Sequence, residues 1–214
     1  LKEALLDLER TFESSHPGVD VVFNFAGSQV LAAQLLEGAP ADVFASADHA
    51  QIERAQARLL AARPFARNRL VIVAPVGDGP VQAPADLARP GVRLVLAAEA
   101  VPVGAYARAA LDRLGLRDAA LANVVSHEEN VRGVVGKVAA GEADAGVVYA
   151  TDVTDGVKAK LRVVELAGAE DIVPIYEVAA VRDAHEPALA AAFVDALAGE
   201  PGAAALAARG FLPP

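Results

Sequence analysis

Residues 123–148 read NVVSHEENVRGVVGKVAAGEADAGVV. The pattern divides into a short β-branched strand over Asn123–Val125, a helix over Val131–Ala140 and an apolar strand over Ala145–Val148. A strand, a helix and a second strand in succession predict a parallel sheet with a covering helix.

The same rhythm extends in both directions. Upstream come a strand near Arg93–Ala97 and a helix over Gly104–Leu114; downstream come strands over Leu161–Leu166 and Val173–Val181. Helices over Pro187–Leu197 and Gly202–Ala208 close the chain. At the other end, Leu1, Leu5, Leu8 and Phe12 recur at helical spacing, and His16-Pro17-Gly18 stops that helix. Val19–Phe25 alternates polar and apolar residues, which predicts a strand, and Gly27-Ser28 opens a helix bearing Val30, Leu31, Leu35 and Leu36. A strand over Asp42–Ala45, a helix over His49–Ala61 and a strand over Leu70–Ala74 follow, then the turn-rich run Pro75-Val76-Gly77-Asp78-Gly79-Pro80. Two α/β lobes are expected: residues 1–75 with 177–214 in one, 76–176 in the other, with crossings near Ala74 and Tyr176.

Composition limits the function. The 214 residues carry 19 Lys+Arg against 28 Asp+Glu, a formal charge of −9, which disfavours a phosphate-backbone partner. There is no cysteine, hence no disulfide frame, zinc-thiolate cluster or thiol nucleophile. No apolar run approaches the roughly 20 residues of a membrane span. The sequence also contains no methionine, so residues ahead of Leu1 are expected to have been removed or to be unrepresented, a cleaved export signal being one ordinary cause.

Catalytic signatures are weak. None of Ser14, Ser15, Ser28, Ser46 and Ser126 lies in a Gly-x-Ser-x-Gly elbow, and no Gly-x-Gly-x-x-Gly or phosphate-cradling Gly-Lys-Ser/Thr is present. Of the four histidines only His127 shares a segment with acids, Ser126-His127-Glu128-Glu129-Asn130, whose ordinary explanation is a solvated helix start. A local device recurs instead: a strand ends in small or polar residues and a helix begins at once, at Asn24–Ser28, Ala100–Gly104 and Asn130–Gly133. Each junction offers first-turn N–H groups and the positive end of a helix dipole, which attract anions without a basic side chain. Any α/β protein has such helix starts, and Ser28 could be a plain N-cap.

Five ordered motifs give the device a specific meaning. Phe25–Gln34 with Glu37–Asp48, then Val101–Ala107, Glu129–Gly133, Gly146–Asp152 and Gly210-Phe211 resemble the molybdate-binding proteins of bacterial ABC importers, along essentially the whole chain. The resemblance implies a two-lobed type II periplasmic binding protein, each lobe a mainly parallel sheet flanked by helices, with the ligand cleft between lobes. It implies oxyanion binding by the Ser28 hydroxyl and amide, the Val103 and Val131 amides and the Tyr149 hydroxyl, with Arg132 left out. No catalytic residue, direct cation ligand or cofactor is implied. The ligand would be molybdate, and tungstate with it; the partner is a membrane permease, with no nucleic acid, and the protein an extracytoplasmic monomer. A fully ionised oxyanion offers only acceptors, which neutral N–H and O–H donors satisfy, whereas a protonated competitor brings a donor that such a site leaves facing another donor.

The sequence departs from the family pattern in two places. The family's first strand, with a further serine donor, would precede the residue matched by Leu1, and Gly27 and Gln29 stand where the family often has hydroxyl residues. Three other readings remain open at this level: a receptor for sulfate or a small carboxylate, the effector-sensing domain of a transcription regulator, and a hydrolase using Ser28.

Overall fold

The computed structural model describes all residues, Leu1–Pro214. In chain order the elements are α1 (Lys2–Ser15), α2 (Ser28–Leu36), β1 (Val43–Ser46), α3 (His49–Ala55), β2 (Arg63–Arg67), β3 (Leu70–Pro75), β4 (Leu94–Ala97), α4 (Pro102–Arg113), α5 (Arg117–Leu121) and β5 (Val124–Glu128). They continue with α6 (Val131–Ala139), β6 (Ala145–Tyr149), α7 (Asp155–Lys158), β7 (Leu161–Glu165), β8 (Ile175–Ala180), α8 (Pro187–Ala198) and α9 (Glu200–Ala207). Three short 3-10 turns, at Gln56–Arg58, Pro84–Ala88 and Ala150–Asp152, complete the regular structure. No single helix is long and apolar enough to cross a membrane.

The chain forms two compact units: Leu1–Arg67 with Ile175–Pro214, and Asn68–Pro174. The first crossing therefore lies seven residues before the expected Ala74. The reason is β3, whose Leu70–Val73 pair with Tyr149–Gly146 and whose other edge takes β7, so this strand belongs to the second unit's sheet. The second crossing, Pro174 to Ile175, lies two residues before the expected boundary at 177.

In the first unit the strand order is β1-β8-β2, and both pairings are antiparallel. This corrects the expectation of a mainly parallel sheet here. The anticipated strand at Val19–Phe25 is likewise absent, because no strand of this sheet lends it a ladder. The Val21 N–H goes instead to the Glu13 carboxylate at 2.8 Å, and Val22 is 84 % exposed. β2, which the sequence pattern did not suggest, is the short Arg-Pro-Phe-Ala-Arg segment held against β8 with a register shift between Pro64 and Ala66. One core cluster joins α2, β1, α3 and β8 through Ala32, Leu35, Phe44, Ile52, Leu59 and Ala179. A second joins the amphipathic face of α1 to α8, with Phe12 edge-on to Phe193 at 5.1 Å, and Tyr176 is edge-on to Phe211 at 5.4 Å.

The second unit holds the sheet β5-β4-β6-β3-β7. Here β4 runs parallel to β5 and to β6, as the strand-helix-strand pattern requires, while β3 is antiparallel to β6 and β7. All four residues of β4 are buried, the signature of a central strand covered on both faces. Helix α6 lies directly on β6. A Cβ on Gly146 would sit 2.5 Å from a Val134 methyl, so only glycine permits this approach. The acids expected in a helix's first turn end a strand instead: Ser126, His127 and Glu128 extend β5, and α6 starts at Val131.

Candidate functional site

Because β4, β5 and β6 run parallel, their carboxyl ends share one edge of the second unit's sheet. At adjacent-strand spacings of about 4.8 Å, the outer two ends lie roughly 10 Å apart with β4 between them. Three of the four anticipated donors arise on this edge. Val103 is the second helical residue after β4, Val131 the first after β5, and Tyr149 the last residue of β6.

The two helix starts are built differently. In α4 the N1 position is Pro102, which has no N–H to leave unsatisfied, and the first intrahelical bond is Ala105 N–H to Val101 C=O at 3.0 Å. The Val103 amide therefore belongs to the set with no intrahelical acceptor. Gly104 allows the turn to close: a Cβ there would lie 2.0 Å from the Ala98 carbonyl oxygen. In α6 the cap is Asn130, whose side chain accepts the Gly133 N–H at 3.1 Å, leaving the Val131 amide in the corresponding set. Val103 is 1 % exposed and Tyr149 5 %, whereas Arg132 is exposed, so no cationic side chain next to Val131 is buried with these donors.

The fourth donor, Ser28, belongs to the first unit. It is the first helical residue of α2, and Gly27, not Ser28, occupies the cap position. Its hydroxyl oxygen accepts the Ala47 N–H at 3.0 Å across the turn between β1 and α3. The neighbouring buried groups hold that turn: the Ser46 hydroxyl donates to the Asp48 carbonyl at 2.8 Å, and the Asp48 carboxylate caps α3 through the Gln51 N–H at 3.1 Å. Burial pushes the Asp48 carboxyl above its usual range, opposed by the bonds from Gln51 and Ser46. Ala47 and Asp48 carry no individual signal in the sequence, and Ser46 figures there only as a hydroxyl outside any nucleophile elbow, although all three lie in the Glu37–Asp48 stretch of the first family motif.

The remaining candidates have structural partners. Glu128 pairs with Lys137 at 2.7 Å and accepts from Ser126 at 2.6 Å, and the Lys137 bond holds its carboxyl below the usual range. His49 pairs with Glu177 at 2.7 Å, and His16 stacks on Phe12. The hydrogen-bond partner of the Ser28 hydroxyl is an amide, not an imidazole. A hollow of about 460 Å³ in the first unit is lined by His49, Ile52, Leu60, Glu177 and Arg182 among others, and Ser28 does not line it.

One buried cation escaped the sequence reading. Arg108, in the middle of α4, is 6 % exposed and donates to the carbonyls of Ala97 and Gly104 at 3.0 and 2.8 Å. Its sequence signal is an arginine placed among Val103, Ala107 and Leu111 on the buried face of its helix.

Comparison with known proteins agrees with this architecture. The family model for bacterial extracellular solute-binding proteins matches residues 1–212. The molybdate-binding protein ModA of Mycobacterium tuberculosis is 41 % identical over 218 residues, covering 100 % of this chain and 82 % of that protein. Among solved structures, the periplasmic molybdate-binding protein of Azotobacter vinelandii superposes with a TM-score of 0.79 at 24 % identity, covering 99 % of this chain and 94 % of that one. The sulfate-binding protein SubI of M. tuberculosis gives 0.80 at 17 %, covering 99 % and 83 %. At those identities the two structures establish the fold, which receptors of different anions share.

Proposed function

Since the chain belongs to the bacterial extracellular solute-binding protein family, we propose that it captures molybdate outside the cytoplasm and delivers it to the permease of an ABC importer. The observation carrying this reading is the 41 % identity to a molybdate-binding protein along the full chain. It is supported by donors of the chemistry a tetrahedral dianion needs.

The Val103 and Val131 amides, the Ser28 hydroxyl and amide and the Tyr149 hydroxyl each donate to an oxyanion oxygen. The Ser28 oxygen already accepts from Ala47, so its proton remains for a ligand acceptor. Because every group is a donor, an anion that keeps a proton at neutral pH places donor against donor and is rejected. Tungstate has the same charge and shape as molybdate and is a second ligand. The protein acts as a monomeric carrier with no catalytic step and no cofactor.

Calorimetric titration with molybdate, tungstate and sulfate tests the reading. Molybdate and tungstate should bind well ahead of sulfate, and a sulfate preference would overturn the assignment.

A further inference from the structure

Arg108 stands out because a buried cation ordinarily has a carboxylate beside it. Its guanidinium bonds to the carbonyl of Ala97 at the end of β4, to the carbonyl of Gly104 in the first turn of α4, and to Nδ1 of His127 on β5 at 3.3 Å. A guanidinium only donates, so Nδ1 of His127 is the acceptor. No carboxylate pairs with it. The acid that acts on it electrostatically is Glu99, which is exposed and lies 3.7 Å from Arg117, a second cation that offsets its effect. Desolvation accordingly pushes the guanidinium below its usual range.

The three partners of Arg108 belong to the two strand-to-helix junctions that present the Val103 and Val131 amides. Ala97 and Gly104 flank the first junction, and His127 lies three residues before the Asn130 cap of the second. The guanidinium therefore ties both helix starts together and sets beside them a buried positive charge that has no paired carboxylate.

Resting on the molybdate reading above, we propose that Arg108 is a positioning and charge-balancing residue: from beneath the two helix starts, without touching the ligand, it favours a doubly charged oxyanion over a singly charged one of the same shape. Hydrogen-bond donors recognise oxygens at fixed places, and a buried full charge adds a longer-range interaction that scales with ligand charge and is screened little by salt.

The test compares molybdate, a tetrahedral dianion, with perrhenate, a tetrahedral monoanion, by titration calorimetry or competition on wild type, Arg108→Met and Arg108→Lys. Arg108→Met should reduce the molybdate-over-perrhenate preference by about tenfold, the size expected when one ligand charge loses a cation at several ångströms in a medium of intermediate dielectric. Arg108→Lys keeps the charge but cannot span all three acceptors, so it should weaken both anions while retaining most of the preference. A role confined to holding the two junctions would lower both affinities by the same factor, and that result in Arg108→Met overturns the proposal. Should the Met variant fail to fold, loss of the preference in folded Arg108→Lys overturns it equally. Wild-type protein that binds no molybdate defeats the underlying reading and this inference with it, whereas molybdate binding with an unchanged preference in Arg108→Met defeats this inference alone.

Discussion

The hydroxyl oxygen of Ser28 accepts the backbone N–H of Ala47 at 3.0 Å. One bond thus joins the first turn of α2 to the turn between β1 and α3, and it leaves the serine's own proton to be donated elsewhere. Ser28→Ala removes that donor and also leaves a part-buried amide without its acceptor. Molybdate affinity should fall by about 1.5–3 kcal/mol, one to two decades in Kd, the usual value of a hydrogen bond to a charged group. Titration calorimetry measures it directly, and wild-type affinity in the variant would remove Ser28 from the site.

Proline scanning separates an amide's role from its side chain's. Val131 is the first residue of α6, the helix position that best tolerates proline, and Asn130 before it is already extended at φ −160° and ψ 167°. Val131→Pro should therefore fold with little loss, deleting one N–H along with the valine side chain, which Val131→Ala removes on its own. Affinity should drop at least as far as in Ser28→Ala, while Val131→Ala, which keeps the amide, should bind nearly as wild type. Equal binding by the proline and alanine variants would exclude the Val131 amide as a donor.

The fold was legible in the sequence wherever an element's local pattern agreed with its surroundings. The stretch 123–148 shows this: the helix over Val131–Ala139 and the strand over Ala145–Tyr149 form almost as their patterns indicate, and β4 accepts β5 and β6 in parallel. Pairing partners were not legible. Val19–Phe25 has the alternation of a strand, yet alternation states only which side chains could share a face; it cannot supply a neighbour, and the Val21 N–H turns to Glu13. For the same reason Leu70–Ala74 could be recognised as a strand but not assigned to the right sheet, since its membership is fixed by Tyr149 and Val164, far away in sequence.

At the site, the choice of particular donors came only from the family resemblance, whereas the strand-to-helix junctions before α4 and α6 could be read because a helix start is a local feature. Arg108 could not, because its significance lies in acceptors on β4, α4 and β5 and in the lack of a carboxylate, none of which is a property of neighbouring residues.

The pair His49–Glu177 makes stability depend on pH. The Glu177 carboxylate, 2.7 Å away, raises the His49 imidazole above its usual value by hydrogen bonding and by charge, with a smaller contribution from Glu53. A raised folded-state pKa means the pair's contribution is fully present below the usual imidazole value and is lost as pH climbs through the elevated one. His49 is mostly exposed, so solvent screening keeps the contribution below about 1 kcal/mol. In an NMR titration the His49 ring should show a midpoint above that of a free imidazole, and Glu177→Gln should bring it back. A wild-type midpoint already at the free value would show that the pair does not persist in solution.

Gly104 gives the most severe steric test of the site's architecture. A Cβ at this position would meet the Ala98 carbonyl oxygen at 2.0 Å and that of Ala97 at 2.6 Å, both rigid backbone atoms. Gly104→Ala therefore forces the first turn of α4 away from the end of β4, and two consequences follow from the same displacement. Overpacking of a closely packed junction costs about 1–3 kcal/mol, which should appear as a lower Tm. The Val103 amide one residue earlier moves with the turn, and the Gly104 carbonyl withdraws from Arg108, which now donates to it at 2.8 Å. Oxyanion affinity should consequently fall in Gly104→Ala even at temperatures where the protein is fully folded. Gly136→Ala is the matched control, since its Cβ would have open space within 4 Å and lies in the same unit on α6; it should keep the affinity and hold or raise Tm, alanine being the better helix former. A Gly104→Ala protein with lowered Tm but unaltered molybdate affinity would show that the α4 start does not present a binding amide.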